Sequence, residues 1–184
     1  MKDCRFEFVS EYADAGLTLP CRKTIGAAGY DFMCAKDTVI PSLSNMTKDV
    51  LDNINVNIQS DEYINIATME ELTKQSGFRP TLVPTGVKCK IPKGYYLQLS
   101  VRSSTPLKTW LILANSVGNI DADYYNNISN EGHIYFQIMN LSPFNIQIKK
   151  GDIIGQGILL PYEITEDDIP GEERTGGFGS TSKW

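Results

Sequence analysis

The sequence predicts an all-β sandwich or barrel carrying an α/β insert, and three observations predict it. Short apolar or alternating runs dominate the chain. Turn chemistry recurs between them, as in Pro92-Lys93-Gly94, Ser142-Pro143 and Lys150-Gly151-Asp152. Helical spacing is confined to a single stretch. Many short strands with frequent turns are the pattern of a β sandwich or barrel.

The expected strands, in order, cover residues 5–9, 38–40, 85–91, 95–101, 111–114, 132–140, 144–148 and 153–160. In HIYFQIMN the alternation is mixed, which suggests a strand covered on both faces. Residues 42–81, approximately, break the pattern. Met46, Val50, Leu51 and Ile54 recur at helical spacing. Thr68-Met69-Glu70-Glu71 reads as a capping box before a short helix that stops at Gly77. Between them INVNIQSDEYINI reads as a small hairpin. The domain therefore runs over 1–172 with this insert. Residues 173–184, rich in Gly and Ser, read as a flexible C-terminal arm.

The bulk numbers narrow the function. The 184 residues, 41% hydrophobic and 21% charged, suffice for one domain with a real core, or a domain with a sizeable insert. A net charge of −5 disfavours nucleic acid as the main partner, though a few local cations suffice for a small phosphorylated ligand. The N-terminal MKDCRFEFVSEY has no apolar signal region and no run approaches 18 apolar residues, so neither secretion nor a membrane span is expected. Cys4, Cys21, Cys34 and Cys89 form no C-x-x-C pair, which suits free thiols in a reducing cytoplasm. The one histidine, His133, argues against a zinc site or a serine-protease triad, and reads as a strand-surface residue.

Five turn-like stretches carry chemistry: AAGYDF (27–32), VRSSTPLK (101–108), GNIDADYYNN (118–127), GDIIGQGILLP (151–161) and ERTGGFGSTS (173–182). In VRSS, Arg102 offers a rigid fork of donors and Ser103 and Ser104 offer hydroxyls, either as a phosphate cradle or as an ordinary surface turn. In the last stretch Arg174 brings charge, and Gly176, Gly177 and Gly179 let backbone approach a ligand. Ser180 and Thr181 bring hydrogen bonds, and Phe178 a ring that could stack on a base. That is either a disordered end or a lid. In the third stretch Asp121 and Asp123 share one face of an extended chain and Tyr124 takes the other. Only a bend lets Asp121 and Tyr124 meet one ligand, with Gly118 and Asn126 supplying the bend chemistry. Asp121 could then activate a water, and the tyrosine ring could pack on a furanose. The alternative is a hairpin with solvated aspartates.

Taken in order, the five stretches resemble the five motifs of the trimeric dUTP pyrophosphatase (dUTPase) family, from about residue 20 to 182 outside the insert. The resemblance implies a distorted jelly-roll β-barrel and hydrolysis of dUTP to dUMP and pyrophosphate by water attack on the α-phosphorus. It implies Asp121 as general base and Tyr124 as the ring that packs on deoxyribose. Asn115 and the hairpin main chain from Ser116 to Ile120, Gly118 included, would read uracil. Ser103, Ser104 and Gln156 would hold phosphate oxygens with Arg102 near them. Asp31 would place waters of a Mg²⁺ that the triphosphate chelates. Arg174, Phe178, Gly179, Ser180 and Thr181 would close over substrate. It also implies a homotrimer with shared sites, one subunit's tail reaching another's. The usual family glycine is replaced by Asn126, and the usual carboxylate by Asn127. The second motif often has Gly where Ser104 stands. The insert is longer than usual and could serve a protein partner. Two alternatives share the fold: a dCTP deaminase or bifunctional deaminase/dUTPase, and a non-enzymatic dUTP-sensing regulator. Thr105-Pro106 after RSS, and Asp121 where deaminases carry Glu, set the chain apart from the deaminases.

Overall fold

The computed structural model describes residues 3–46, 48, 69–71, 73–74, 79–169, 171 and 177. Eleven strands run through them: β1 (Arg5–Phe8), β2 (Tyr30–Met33), β3 (Thr38–Ile40), β4 (Thr81–Pro84), β5 (Val87–Lys90), β6 (Tyr95–Ser100), β7 (Leu111–Leu113), β8 (Gly118–Ile120), β9 (Tyr135–Asn140), β10 (Ile146–Ile148) and β11 (Ile153–Pro161). One short helix, α1 (Ser104–Thr109), follows β6.

The strands form four antiparallel groups, ordered β1-β5, β3-β10, β2-β11-β6-β8 and β4-β9-β7. Alternation drives the packing. In β9 every second residue, Phe136, Ile138 and Asn140, is buried, and in β6 Leu97 and Leu99 are. Such period-two patterning puts one face of each strand into the core. Phe32 of β2 meets Phe136 of β9 with ring centroids 5.7 Å apart, which joins the four-stranded sheet to the three-stranded one. Gly155 lies in this seam, where a Cβ would stand 2.1 Å from the Phe136 ring. One main cluster unites Phe32, Ile40, Val83, Leu97, Leu111, Ile134 and Phe136. The class is all-β, as expected, with jelly-roll-like sheets.

Several elements differ from the sequence reading. Tyr30–Met33 is a strand inside a stretch read only as a motif. Thr81–Pro84, at the end of the expected insert, is strand β4 paired with β9. VRSSTPLK was expected as a turn, but its second half is α1. Pro106 falls in the helix's first turn, where its missing N–H costs nothing. Within the insert, residues 43–46, 48, 69–71 and 73–74 are helical. Asn145 Oδ1 ties the insert's start down, accepting from the Ser42 N–H at 2.9 Å and the Asn45 side chain at 3.0 Å. The expected hairpin, the positions of Val50, Leu51 and Ile54, and Thr68 of the capping box lie outside the described residues. All four cysteines are free thiols. Among the described residues no helix is long and apolar enough to cross a membrane.

Candidate active site

Two groups of side chains stand out, at different places on the four-stranded sheet. The first is a cleft of about 190 Å³ lined by Asn115, Gly118, Ile120, Asp121, Tyr124 and Gly177, among others. Strand β8 carries Gly118 to Ile120 along the edge of β6, with Leu99 opposite Gly118 and Leu97 opposite Ile120. The chain then bends. Asp121 is extended (φ −80°, ψ 159°) and caps a 3-10 turn over Ala122–Tyr124. The Tyr124 N–H donates to the Asp121 carbonyl at 3.2 Å. This bend puts exposed Asp121 and buried Tyr124 on one cleft.

Asn115 sits on a corner. Strand β7 pairs with β9 and β8 with β6, so residues 114–117 cross from one sheet to another instead of closing a hairpin ladder of their own. Ser116 takes a left-handed conformation (φ 62°) to make that corner. An ideal Cβ on Gly118 would lie 3.7 Å from Asn115 Nδ2, so a bare backbone leaves the amide room beside the strand. Leu99, Leu113, Tyr135 and Gln137 complete the cleft wall. Sequence reasoning missed them because they belong to strands that only the fold brings beside the turn.

The loop after Tyr124 is tightly stitched. Asn126 is left-handed (φ 58°), the conformation expected of the residue standing for the family glycine. Asn127 is buried, and its Oδ1 accepts from the Ser129 N–H (3.0 Å), the Ser129 hydroxyl (2.6 Å) and the Asn130 N–H (3.2 Å). Its Nδ2 donates to the Tyr124 carbonyl (2.9 Å) and to Asn130 Oδ1 (2.8 Å). A carboxylate could accept at this position but could not donate, which explains the amide. Glu131 ties the loop to the body, with Oε2 accepting from the Ser10 hydroxyl at 3.0 Å and Lys88 Nζ at 3.3 Å. The Ser10 contacts, first among them its hydroxyl, hold the Glu131 carboxyl below its ordinary range.

His133 lies behind this loop and corrects the expectation of a surface residue: it is 3% exposed. Its ring is 4.1 Å from that of Tyr135 and 5.4 Å from that of Tyr12, and its Nε2 accepts from the Gly86 N–H at 2.9 Å. Burial pushes it down to about 4. It is a neutral structural acceptor.

The second group is a row across the sheet. Gln156 of β11 stands opposite Asp31 of β2 on one side and Ser100 of β6 on the other. Its Nε2 lies 3.4 Å from Ser100 Oγ. Arg102, just past β6, approaches Asp31 with Nε 3.8 Å from Oδ1. Asp31 is buried, and its Oδ2 finds no hydrogen-bond partner in the structure. Ser103 and Ser104 open α1 beside Arg102. A buried, incompletely satisfied carboxylate is a hard oxygen donor suited to the water shell of Mg²⁺. Among the described residues no cluster of three or more His, Cys, Asp or Glu could cage a metal.

The structure thus brings Asn115, Gly118, Ile120, Asp121 and Tyr124 together, and separately Asp31, Arg102 and Gln156 with Ser103 and Ser104 alongside Arg102. Arg174, Phe178, Gly179, Ser180 and Thr181 lie outside the described residues. Gly177, from the same arm, packs on the chain's own Tyr124, where a Cβ would come 2.6 Å from the ring. The resemblance instead has the tail of one subunit closing the site of another.

A family model described as dUTPase matches residues 64–182. The deoxyuridine 5'-triphosphate nucleotidohydrolase of Lactococcus lactis is 37% identical over 98% of this chain and 99% of its own length. Among solved structures, the dUTPase of Streptococcus mutans superposes with a TM-score of 0.65 at 34% identity, covering 88% of this chain and 98% of that one. A mutant dUTPase from phage phi11 of S. aureus, which coordinates a structural Mg(II) ion, has the same fold. It gives a TM-score of 0.56 at 19% identity, over 92% of this chain and 97% of its own. Fold, cleft and relatives together define a nucleotide hydrolase of the all-β kind. The chain belongs to the dUTPase family.

Proposed function

We propose that this chain is a dUTP diphosphatase that cleaves dUTP to dUMP and pyrophosphate, with Asp121 as the base and Tyr124 as the sugar-discriminating wall. The observation that carries this reading is the bend after β8, which sets both side chains on one cleft beside Asn115. Asp121 takes a proton from water as its oxygen attacks the α-phosphorus, and pyrophosphate leaves. Tyr124 packs on the deoxyribose and leaves no room for a 2′-hydroxyl. Asn115 and the main chain of the Ser116–Ile120 segment, at Gly118 and Ile120, read the uracil edge. Arg102, Ser103, Ser104 and Gln156 hold phosphate oxygens, where preorganised donors gain most from developing charge. Mg²⁺, when bound, neutralises charge on the triphosphate, and Asp31 would hold its waters. Arg174, Phe178, Gly179, Ser180 and Thr181 of the arm close over the substrate, Phe178 on the base.

The two halves of this site come from different copies of the chain. With Leu97 opposite Ile120, Asp121 falls opposite Tyr96, whereas Gln156 is opposite Ser100. From Tyr96 to Ser100 the strand rises roughly 13 Å at ~3.3 Å per residue. Asp31 is two strands further across. A general base must reach its proton directly or through one water. Asp121 cannot therefore serve a phosphate held by the Gln156 row of its own chain. A homotrimer with shared sites supplies the match. The insert, held at Ser42 and followed directly by β4, leaves a protein partner as a separate role outside the described residues.

The test is pyrophosphate release from dUTP, dCTP, dTTP and UTP with Mg²⁺, by wild type and Asp121→Asn. Release from dUTP alone, lost in the variant, supports the reading. Ammonia from dCTP would move the chain to the deaminases, and binding of dUTP without turnover to the regulators.

A further inference from the structure

We propose that Asn130 is a positioning residue for substrate selection, acting through the hydroxyl of Tyr124. The inference rests on the reading of Tyr124 as the deoxyribose wall. That hydroxyl donates to the His133 carbonyl at 2.9 Å and accepts from Asn130 Nδ2 at 2.8 Å. The amide's orientation is fixed, because its Oδ1 accepts from the Gly132 N–H at 3.0 Å and from Asn127 Nδ2 at 2.8 Å. The tip of the ring is therefore tethered from two sides, and both tethers belong to the loop that follows it.

Such a clamp matters for selectivity. A tyrosine ring has two torsions, and rejecting one extra hydroxyl on a sugar requires that the ring not swing aside. The 3-10 turn fixes the backbone at Tyr124 but leaves the ring's tilt to its far end. The clamp is itself rigid. The Asn130 N–H donates to Asn127 Oδ1, the His133 N–H donates to the Asn130 carbonyl at 2.9 Å, and Gly132 takes a left-handed conformation (φ 78°). There a Cβ would stand 2.6 Å from the Tyr124 carbonyl. Asn130 thus links the folded loop to the far end of the Tyr124 ring.

The experiment separates clamping from loop folding. Asn130→Asp keeps an oxygen for Gly132 and Asn127 but removes the donor to Tyr124. The readout is the ratio of kcat/KM for dUTP to that for UTP, which does not depend on the fraction of active protein. Asn130→Asp should lower the ratio by about threefold to tenfold, roughly the worth of one neutral hydrogen bond. In a Tyr124→Phe background the same change should alter the ratio less than about twofold, since the hydroxyl it acts on is gone. An unchanged ratio in Asn130→Asp, or equal effects in both backgrounds, overturns the proposal. Tyr124→Leu tells this failure from a failure of the parent reading. If it relaxes selectivity while Asn130→Asp does not, only the role of Asn130 falls. If it leaves selectivity intact, both fall.

Discussion

The Tyr124 turn and the Asp31 row occupy one sheet but are built on opposite principles. Around Tyr124 the polar groups of the loop bond to one another: Asn127, Ser129, Asn130, Gly132 and the His133 carbonyl form a closed network. Around Asp31 they are left open. Its Oδ2 has no hydrogen-bond partner in the structure, Arg102 approaches only to 3.8 Å, and Gln156 touches Ser100 at 3.4 Å. A closed network holds a shape before ligand arrives, as recognition of a sugar demands. An open row of charge has bonding capacity left for phosphate and for a metal's waters. On the proposed reading, the closed half selects the sugar and the open half binds charge.

The sharpest way to break this contrast is at the base. Asp121→Asn should cut pyrophosphate release by about a thousandfold while dUTP still binds, within the range for removal of a general base. Retained turnover would remove Asp121 from its role. Next comes Arg102→Ala, for which steady-state kinetics should show kcat lower by about a hundredfold, as for loss of one donor to developing charge. An effect confined to UTP selectivity would place Arg102 on the sugar side.

His133 sharpens the closed half through pH. Burial lowers it from its ordinary 6.5 to about 4, so between those values the unfolded chain binds a proton that the folded chain refuses. The stability of the neutral buried ring is fully present above pH 6.5 and is lost as pH falls toward 4, on the order of 3 kcal/mol. Stability from denaturant melts should fall more steeply with pH across that window in wild type than in His133→Gln, which keeps an acceptor for Gly86 without titrating. Parallel curves would contradict the buried assignment.

The smallest effect is expected at Gly29. A Cβ there would lie 2.5 Å from Gln156 Oε1, the far end of a flexible side chain. Gly29→Ala should displace that amide and raise the KM for dUTP a few-fold (~1 kcal/mol, one hydrogen bond), with little change in melting temperature. A large loss of stability would mean that Gln156 cannot move and belongs to the scaffold.

The sequence made much of this legible, and the failures have physical causes. Strands at 38–40, 95–100 and 153–160 announce themselves by alternation or long apolar runs. Tyr30–Met33 did not, because it is short and follows Gly26 and Gly29. Thr81–Pro84 ends in proline and abuts the insert, so nothing local marks it as a strand. Helix α1 is hidden by Pro106, which reads as a breaker although it falls in the first turn. At the site, the need for a bend at Asp121 was legible, but its place was not. Gly118 is a strand residue, and the turn is made at 122–124 instead. His133 looked like a surface residue because Tyr12, Gly86 and Tyr135, which enclose it, come from three different parts of the chain. Asn126 reads as turn chemistry in the sequence, whereas the roles of Asn127 and Asn130 do not show there. The bonds that Asn127 and Asn130 make to Tyr124 come with a left-handed Asn126 and Gly132 that no pattern of residue types specifies.

On the proposed reading, each active site joins the Asp121 half of one chain to the Arg102 half of another. Co-refolding equal amounts of Asp121→Asn and Arg102→Ala subunits tests it most directly. With halves drawn from different copies, random mixing should restore dUTP hydrolysis to about one quarter of wild type, because that fraction of sites receives two intact halves. Activity no greater than the sum of the two parents, in mixed oligomers shown to form, would mean that both halves belong to one chain and would contradict the claim.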